Sequence, residues 1–588
     1  MDIDLDVATN KMTGKQQITY TNNSPDTLHK IFVHLFWNAF QPGSMTDVTQ
    51  QFADQIVLGS NSKGDKLTDV DRRFKKKIYE MTDEEVGWCH VTNFTVNGQK
   101  QKIKEYETIL LVELSKPILP KATVQIQTTF ESQVPKLSRR SGRDNAEGIR
   151  YSMGQWYPKI VEYDKLGWNA DDYVAREFYG VWGDYDVRLT LDKDYKVGAT
   201  GELQNAAAIG WGYDKEGTPL KNIASAKRTW KFIGKNIHDF VWSADPLYKH
   251  ITRKVPNGPL LHFIYKDDST IEKLWQTTAD TCAMIFPYLS KTFGKYDYPV
   301  YSVLHGGGGG TEYPMATLTR NGSLETAVHE ICHSWYQMML GTNENLYAWM
   351  DEGFANYAEA KALAWLRHNN FFADISEYGS YADLARSPFD EPMSTHANFY
   401  TTNFAYNTNA YSKGKLFLLE LGYITGEKSL EKIMPEYYRR WAFKHPTPDD
   451  FIKVAEGVSG MQLQWYKNYM LNTTKTIDYK IDSLWEENGE SKIRLRKLGE
   501  MPMPIDLQLT FKDSTKAMHY IPLSLTFGSK KKEDEKIPFT EHEVWGWMQP
   551  TYTLSFKERL INISKIEIDA SGRMADMNRK NNVLELKW

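Results

Sequence analysis

The stretch His329-Glu330-Ile331-Cys332-His333 decides how this chain is read. Two histidines at i and i+4 lie one turn apart on the same face of a helix, so their imidazoles can converge on one ion. The flanking residues predict that helix. Ser323 suits an N-cap, and Glu325 suits the first turn, where the helix dipole is positive. Val328, Ile331, Cys332 and Trp335 form an apolar stripe, and Gly341 predicts the stop. A third ligand is expected at Glu352, inside Trp349-Met350-Asp351-Glu352-Gly353-Phe354. The segment Gly341-Thr342-Asn343-Glu344-Asn345 predicts a loop, and the run from Glu352 to Leu363 a returning helix that carries Glu352 alongside the histidines. Two imidazoles and one carboxylate, with a fourth position left for water, is the pattern of a catalytic zinc, whereas a structural zinc is more often closed by four Cys or His ligands. One Zn2+ per chain is the expectation, held by His329, His333 and Glu352.

Glu330 points to the adjacent side of the same helix and is expected to act as general base toward water rather than as a ligand. Glu359 shares a helix face with Glu352; hydrogen bonding to a ligating imidazole and a plain surface position both suit it. Cys332 reads as a small apolar-face residue, because one helical turn cannot aim positions 329, 332 and 333 together. His305, ahead of the glycine run, reads as hydrogen-bonded structure.

Outward from this centre the pattern changes twice. Residues 1–245 read as mostly strands, with period-two runs at Ile18–Thr21, Val124–Gln127 and Val187–Leu191, separated by turn signals such as Asn97-Gly98. Residues 246–474 read as mainly helical. One helix is expected at Thr270–Lys291, another from about Leu430 to Ala442 with Pro435 kinking or starting it, and a third from Phe451 after the opening His445-Pro446-Thr447-Pro448-Asp449-Asp450. Residues 475–588 return to alternation, at Ile505–Phe511 and Leu523–Phe527, and the charged run Lys530–Lys536 reads as a hairpin loop in solvent. The basic run Asp71–Lys77 has acidic flanks and also reads as a solvated loop. The expectation is a multidomain α+β protein: an N-terminal β-sheet domain (1–245), a helical metal-binding domain (246–474) and a C-terminal β domain (475–588).

Composition narrows the function classes. A length of 588 residues implies about four domains. The hydrophobic fraction of 41% and the charged fraction of 25% are those of a globular chain, which excludes disorder, collagen and coiled coil as the main architecture. Lys plus Arg number 71 against 75 Asp plus Glu, so nothing points to nucleic acid or an anionic membrane as partner. Three cysteines make no disulfide framework. No apolar run approaches the ~18 residues of a membrane span. The start MDIDLDVATN has no basic or apolar leader pattern, so the chain is either made without a signal or begins after one. Compartment and oligomeric state stay open.

Three separated motifs resemble the zinc aminopeptidases of peptidase family M1. They are His329-Glu330-x-x-His333 with Glu352; Gly309-Gly310-Thr311-Glu312-Tyr313-Pro314, similar to the family's Gly-x-Met-Glu-Asn motif; and Tyr411-Ser412-Lys413-Gly414, similar to its Tyr-x-Lys-Gly stretch. The resemblance implies a thermolysin-like catalytic domain followed here by a β-sandwich-like domain. It implies that Glu312, on a strand whose Gly309 and Gly310 admit a close backbone approach, binds the free α-ammonium of a peptide. It implies that Tyr411 donates its hydroxyl to the oxyanion formed at the scissile carbonyl. The expected partners are thus peptides with a free N-terminus. Thr311 and Tyr313 depart from the family's Met and Asn, which bears on the first side-chain pocket. Tyr406 reads as packing, and Gln155 as a polar group that could reach the substrate amine.

Two other readings share these residues. One is a zinc hydrolase of a non-peptide, epoxide-type substrate on the same site. The other is a binding protein on a catalytically inactive peptidase fold, which predicts lost ligands or a lost base; His329, Glu330, His333, Glu352 and Tyr411 are all present.

Overall fold

A computed structural model describes residues 1–371 and 376–587. The chain forms two compact units, one of residues 1–345 with 442–445 and one of residues 346–441 with 446–588.

The first unit opens with an eight-stranded sheet. Its long strands are Lys11–Thr21, Thr123–Gln133, Trp88–Val96, Gly183–Asp192 and Lys227–Ile237, and Asp2–Asp6 lies between two of them, parallel to Gly183–Asp192 and antiparallel to Lys11–Thr21. Alternation in sequence becomes alternation in burial: Val124, Ile126, Thr128 and Phe130 face inward while Thr123, Gln125 and Gln127 face out. Gly14 is needed opposite Phe130, because a Cβ there would stand 2.2 Å from the ring.

The site rests on a second, five-stranded sheet in the order Tyr248–Lys254, Leu260–Lys266, Val300–His305, Ala316–Thr319, Gly310–Tyr313. Leu260–Lys266 and Val300–His305 run parallel. Parallel neighbours need a crossover, and the 25-residue helix Ser269–Phe293 supplies it. Asp268 caps that helix by accepting from the Thr270 amide, and Trp275, Cys282, Phe286, Leu289 and Phe293 are buried along it. Val300–His305 is buried at all six positions, as a strand covered on both faces must be. The last strand, Gly310–Tyr313, is an edge and pairs antiparallel with Ala316–Thr319. The helix Leu324–Cys332 packs against this edge and against Ser269–Phe293.

The second unit begins with helices, among them Phe354–Arg367, Gly414–Thr425, Glu427–Trp441, Pro448–Ser459 and Gln464–Asn472. Every residue of Gly414–Thr425 is buried. It ends with a three-stranded sheet built on Glu490–Lys497 and a five-stranded sheet built on Ile505–Phe511. Among the described residues no helix is long and apolar enough to cross a membrane.

Several local expectations are corrected. The helix carrying the histidines ends at Cys332, well before Gly341. Glu352 lies in a π-type turn, Trp349–Gly353, ahead of the helix Phe354–Arg367. The helix expected from Phe451 begins at Pro448, because Thr447 and Asp450 form a reciprocal capping box. Pro435 lies inside Glu427–Trp441 and does not start it. Leu523–Phe527 is a turn rather than a strand: the Thr526 hydroxyl donates to the carbonyls of Leu523 and Gly528, and Phe527 adopts φ 46°. Such side-chain bonds offer the backbone an alternative to a ladder. Lys530, at the head of the expected solvent loop, is buried. It pairs with Asp506 and Glu533 and donates to the Tyr423 carbonyl at 3.0 Å.

Removing one member of a buried ion pair leaves the other uncompensated. Asp506→Ala is expected to destabilise the second unit by about 3 kcal/mol, read by chemical denaturation, whereas the double change Lys530→Met, Asp506→Leu costs less than the single one.

Candidate metal centre

Ser323 caps the histidine helix through its hydroxyl, which accepts from the Thr326 amide. His329 is half-buried and His333 buried. Their Nε2 atoms lie 3.0 Å apart with the rings at 83°. A tetrahedral ion with bonds of about 2.0–2.1 Å separates two ligand atoms by roughly 3.3 Å, so these nitrogens are spaced for a shared ion.

His333 owes its orientation to a break in the chain. Tyr336 (φ −103°, ψ 79°) and Gln337 (φ 146°, ψ −30°) leave helical geometry. The Leu340 amide therefore bonds the Gln337 carbonyl, and the Tyr336 carbonyl instead accepts from His333 Nδ1 at 3.2 Å. That bond assigns the proton to Nδ1 and leaves the Nε2 lone pair for a metal. A regular helix to Gly341 would have consumed this carbonyl.

Glu330 is buried and faces the edge strand. A Cβ on Gly310 would stand 1.9 Å from Glu330 Oε1, so only glycine fits there. Thr317 donates to Glu330 Oε2 at 3.5 Å. Gly309, by contrast, has open space where a Cβ would lie. Glu312 is buried on the same strand, opposite Thr317, and Arg140 donates to its Oε1 at 3.4 Å. Donor atoms of Glu312, Glu330 and His333 all lie within 4.8 Å of one another. The first unit by itself thus gathers the expected amine anchor, the base and both expected imidazole ligands.

In the second unit, Glu352 is buried in its turn and accepts a hydrogen bond from the Tyr411 hydroxyl. Two glycines make this possible: a Cβ on Gly353 would come 2.4 Å from Gly414 Cα, so the turn Trp349–Gly353 can lie directly on the segment Thr408–Lys413. Tyr406 is fully buried in an apolar cluster with Leu384, Ala405 and Ala410, in keeping with a packing role. Glu359 is half-buried. Lys413 is buried, and burial lowers its pKa against the opposing pull of Asp390 and Glu420.

His305 accepts from the Lys266 amide, and burial brings its pKa down to about 4. Cys332 is buried and joins no cluster of metal-binding side chains among the described residues. Gln155 is buried at φ 52°, and its amide nitrogen has no hydrogen-bond partner among the described residues. Sequence reasoning missed Arg140, Glu177 and Glu344, which surround Glu312: carboxylate oxygens of Glu177, Glu312 and Glu344 lie within 4.8 Å of one another. No spacing rule links positions so far apart in the chain.

Comparison with known proteins now adds to this geometry. Residues 314–470 match the model of the peptidase family M1 domain. That segment resembles the peptidase domain of family M1. The matched segment includes His329, Glu330, His333, Glu352 and Tyr411, and Glu312 lies two residues ahead of it. Leucine aminopeptidase 2 of Chaetomium globosum is 25% identical over 174 residues, which is 27% of this chain and 28% of that protein. The matched stretches span a third or less of the length of the first three curated relatives. The fold is shared with an M1 zinc metallopeptidase from Deinococcus radiodurans (TM-score 0.51, 16% identity, 78% of this chain and 90% of that one). It is also shared with Legionella pneumophila aminopeptidase A in complex with aspartic acid (TM-score 0.60, 11% identity, 98% and 58%).

Gln337 holds a conformation that costs an L-residue about 1–3 kcal/mol and glycine little. Gln337→Gly is therefore expected to raise the stability of the first unit by about 1 kcal/mol and to keep the His333–Tyr336 bond, measured by thermal unfolding and by an unchanged metal affinity.

Proposed function

We propose that this protein is a zinc aminopeptidase that releases the N-terminal residue of peptides, with one ion held by His329, His333 and Glu352. The observation that carries this reading is the cluster of Glu312, Glu330 and His333 donor atoms within 4.8 Å, with the His329 nitrogen 3.0 Å from that of His333. The donor set suits zinc: two neutral imidazoles, one of them oriented by a carbonyl, and a carboxylate whose second partner is a phenol. When bound, zinc supplies Lewis acidity to water and to the scissile carbonyl.

The chain's own groups then divide the work. Glu312 accepts the substrate's α-ammonium and thereby counts one residue from the peptide end. The open edge of Gly310–Tyr313 pairs with the peptide backbone and presents the carbonyl. Glu330 takes the proton from the attacking water and passes it to the departing amine. The Tyr411 hydroxyl, once released from Glu352, donates to the developing oxyanion.

Glu330→Gln is expected to lower kcat by about 10²–10⁴ while zinc content by elemental analysis stays at one per chain. Glu352→Ala is expected to lose most of the metal. The reverse pattern would exchange the roles of these two glutamates. A panel of free and N-acetylated aminoacyl amides, run with and without chelator, tests the activity: hydrolysis of free amides alone, abolished by chelator, is the expected result. Equal rates on blocked amides would remove Glu312 from its role.

A further inference from the structure

Arg140 lies 172 residues from Glu312 in sequence and is buried beside it, with 3% of its side chain exposed. It sits in a backbone conformation unusual for an L-residue, at φ 43°. Its guanidinium is fastened at several points. Nη2 donates to Glu177 Oε2 at 2.6 Å and to the Arg176 carbonyl at 2.9 Å. Its central carbon lies 5.3 Å from the centre of the Phe178 ring, and Phe178 stacks in turn on Tyr313, the neighbour of Glu312, at 5.6 Å. A second nitrogen, Nη1, reaches Glu312 Oε1 at 3.4 Å. Among the described residues Arg140 is the hydrogen-bond partner of the Glu312 carboxylate.

The charges around it explain why a cation is present. Glu177, Glu312 and Glu344 crowd their oxygens within 4.8 Å, and three buried carboxylates repel one another. One guanidinium offsets part of that repulsion. A guanidinium tied to Glu177 and to a backbone carbonyl is also a fixed object, because its donors form a rigid fork. It holds one Glu312 oxygen and so aims the other.

We propose that Arg140 is the positioning residue of the amine anchor: tethered by Glu177 and the Arg176 carbonyl, it fixes the Glu312 carboxylate so that one oxygen faces the substrate's α-ammonium. This rests on the aminopeptidase reading above and adds to it a residue from the N-terminal β region. The Arg140 bonds named above run to Glu177, Arg176 and Glu312, so its effect belongs to recognition of the free amine rather than to the chemical step.

The test compares wild type, Arg140→Met, Arg140→Lys and Glu177→Gln, each zinc-loaded, on a free aminoacyl amide and its N-acetylated counterpart. Losing a hydrogen bond between charged groups corresponds to about tenfold or more in binding. Arg140→Met is expected to raise KM for the free amide by about that factor and to lower the preference for free over acetylated substrate equally. The fall in kcat should be smaller, and zinc content should hold. Arg140→Lys should recover part of the loss, since it restores the charge without the fork. A fall in kcat with KM and the free-amine preference intact would overturn the proposal. If Arg140→Met fails to fold, Glu177→Gln decides: release of the tether must raise KM in the same direction, and an unchanged KM counts against the inference. A wild type with no preference for free amines would instead refute the amine-anchor reading itself, so the two failures are told apart by the wild-type arm.

Discussion

The close approach of Gly310 to Glu330 is the contact on which the site depends. A strand and a helix ordinarily meet through side chains, which keeps their axes well apart. Here the edge strand offers no Cβ, and the Glu330 carboxylate occupies the volume where one would be. This sets the distance between the sheet and the histidine helix, and with it the distance from Glu312 to His333. The parallel core behind it, with Val300–His305 buried throughout and crossed over by Ser269–Phe293, makes that spacing rigid. A cluster that holds two carboxylates and an imidazole within a few ångströms needs such a platform.

Burying that much charge is costly unless each group is matched. The molecule meets the requirement with specific partners. Arg140 stands between Glu177 and Glu312, Thr317 and the Gly310 backbone enclose Glu330, and Tyr411 serves Glu352. The same solution recurs away from the site, where buried Lys530, Asp506 and Arg573 form a network with half-buried Glu533. A substitution that removes one member therefore acts through the charge it strands as much as through the contact it deletes.

Strain appears where orientation matters. Gln337 holds its unusual φ inside the segment that turns the Tyr336 carbonyl onto His333. Gly353 and Gly414 perform a comparable service for Glu352 without strain, because glycine permits the turn and the helix to touch. In both cases backbone geometry, not side-chain chemistry, decides how the side chain is placed.

By itself the sequence determined the local features. The i, i+4 histidines, the Ser323 cap, the period-two strands around Val124–Gln127 and Ile505–Phe511 and the helix from Thr270 all depend on neighbours within a turn or a strand, so they are legible in order. Local signals failed where a distant or competing bond won. Thr526 bonding turned an alternating run into a turn, a capping box moved a helix start to Pro448, and Asp506 drew a charged loop residue into the interior. Only the tertiary structure decided that the histidine helix breaks at Tyr336, that Gly310 accommodates Glu330, and that Arg140 stands against Glu312. The physical reason is that electrostatic matching and excluded volume act between groups close in space, and positions 140, 177 and 312 share no periodicity that could announce their meeting.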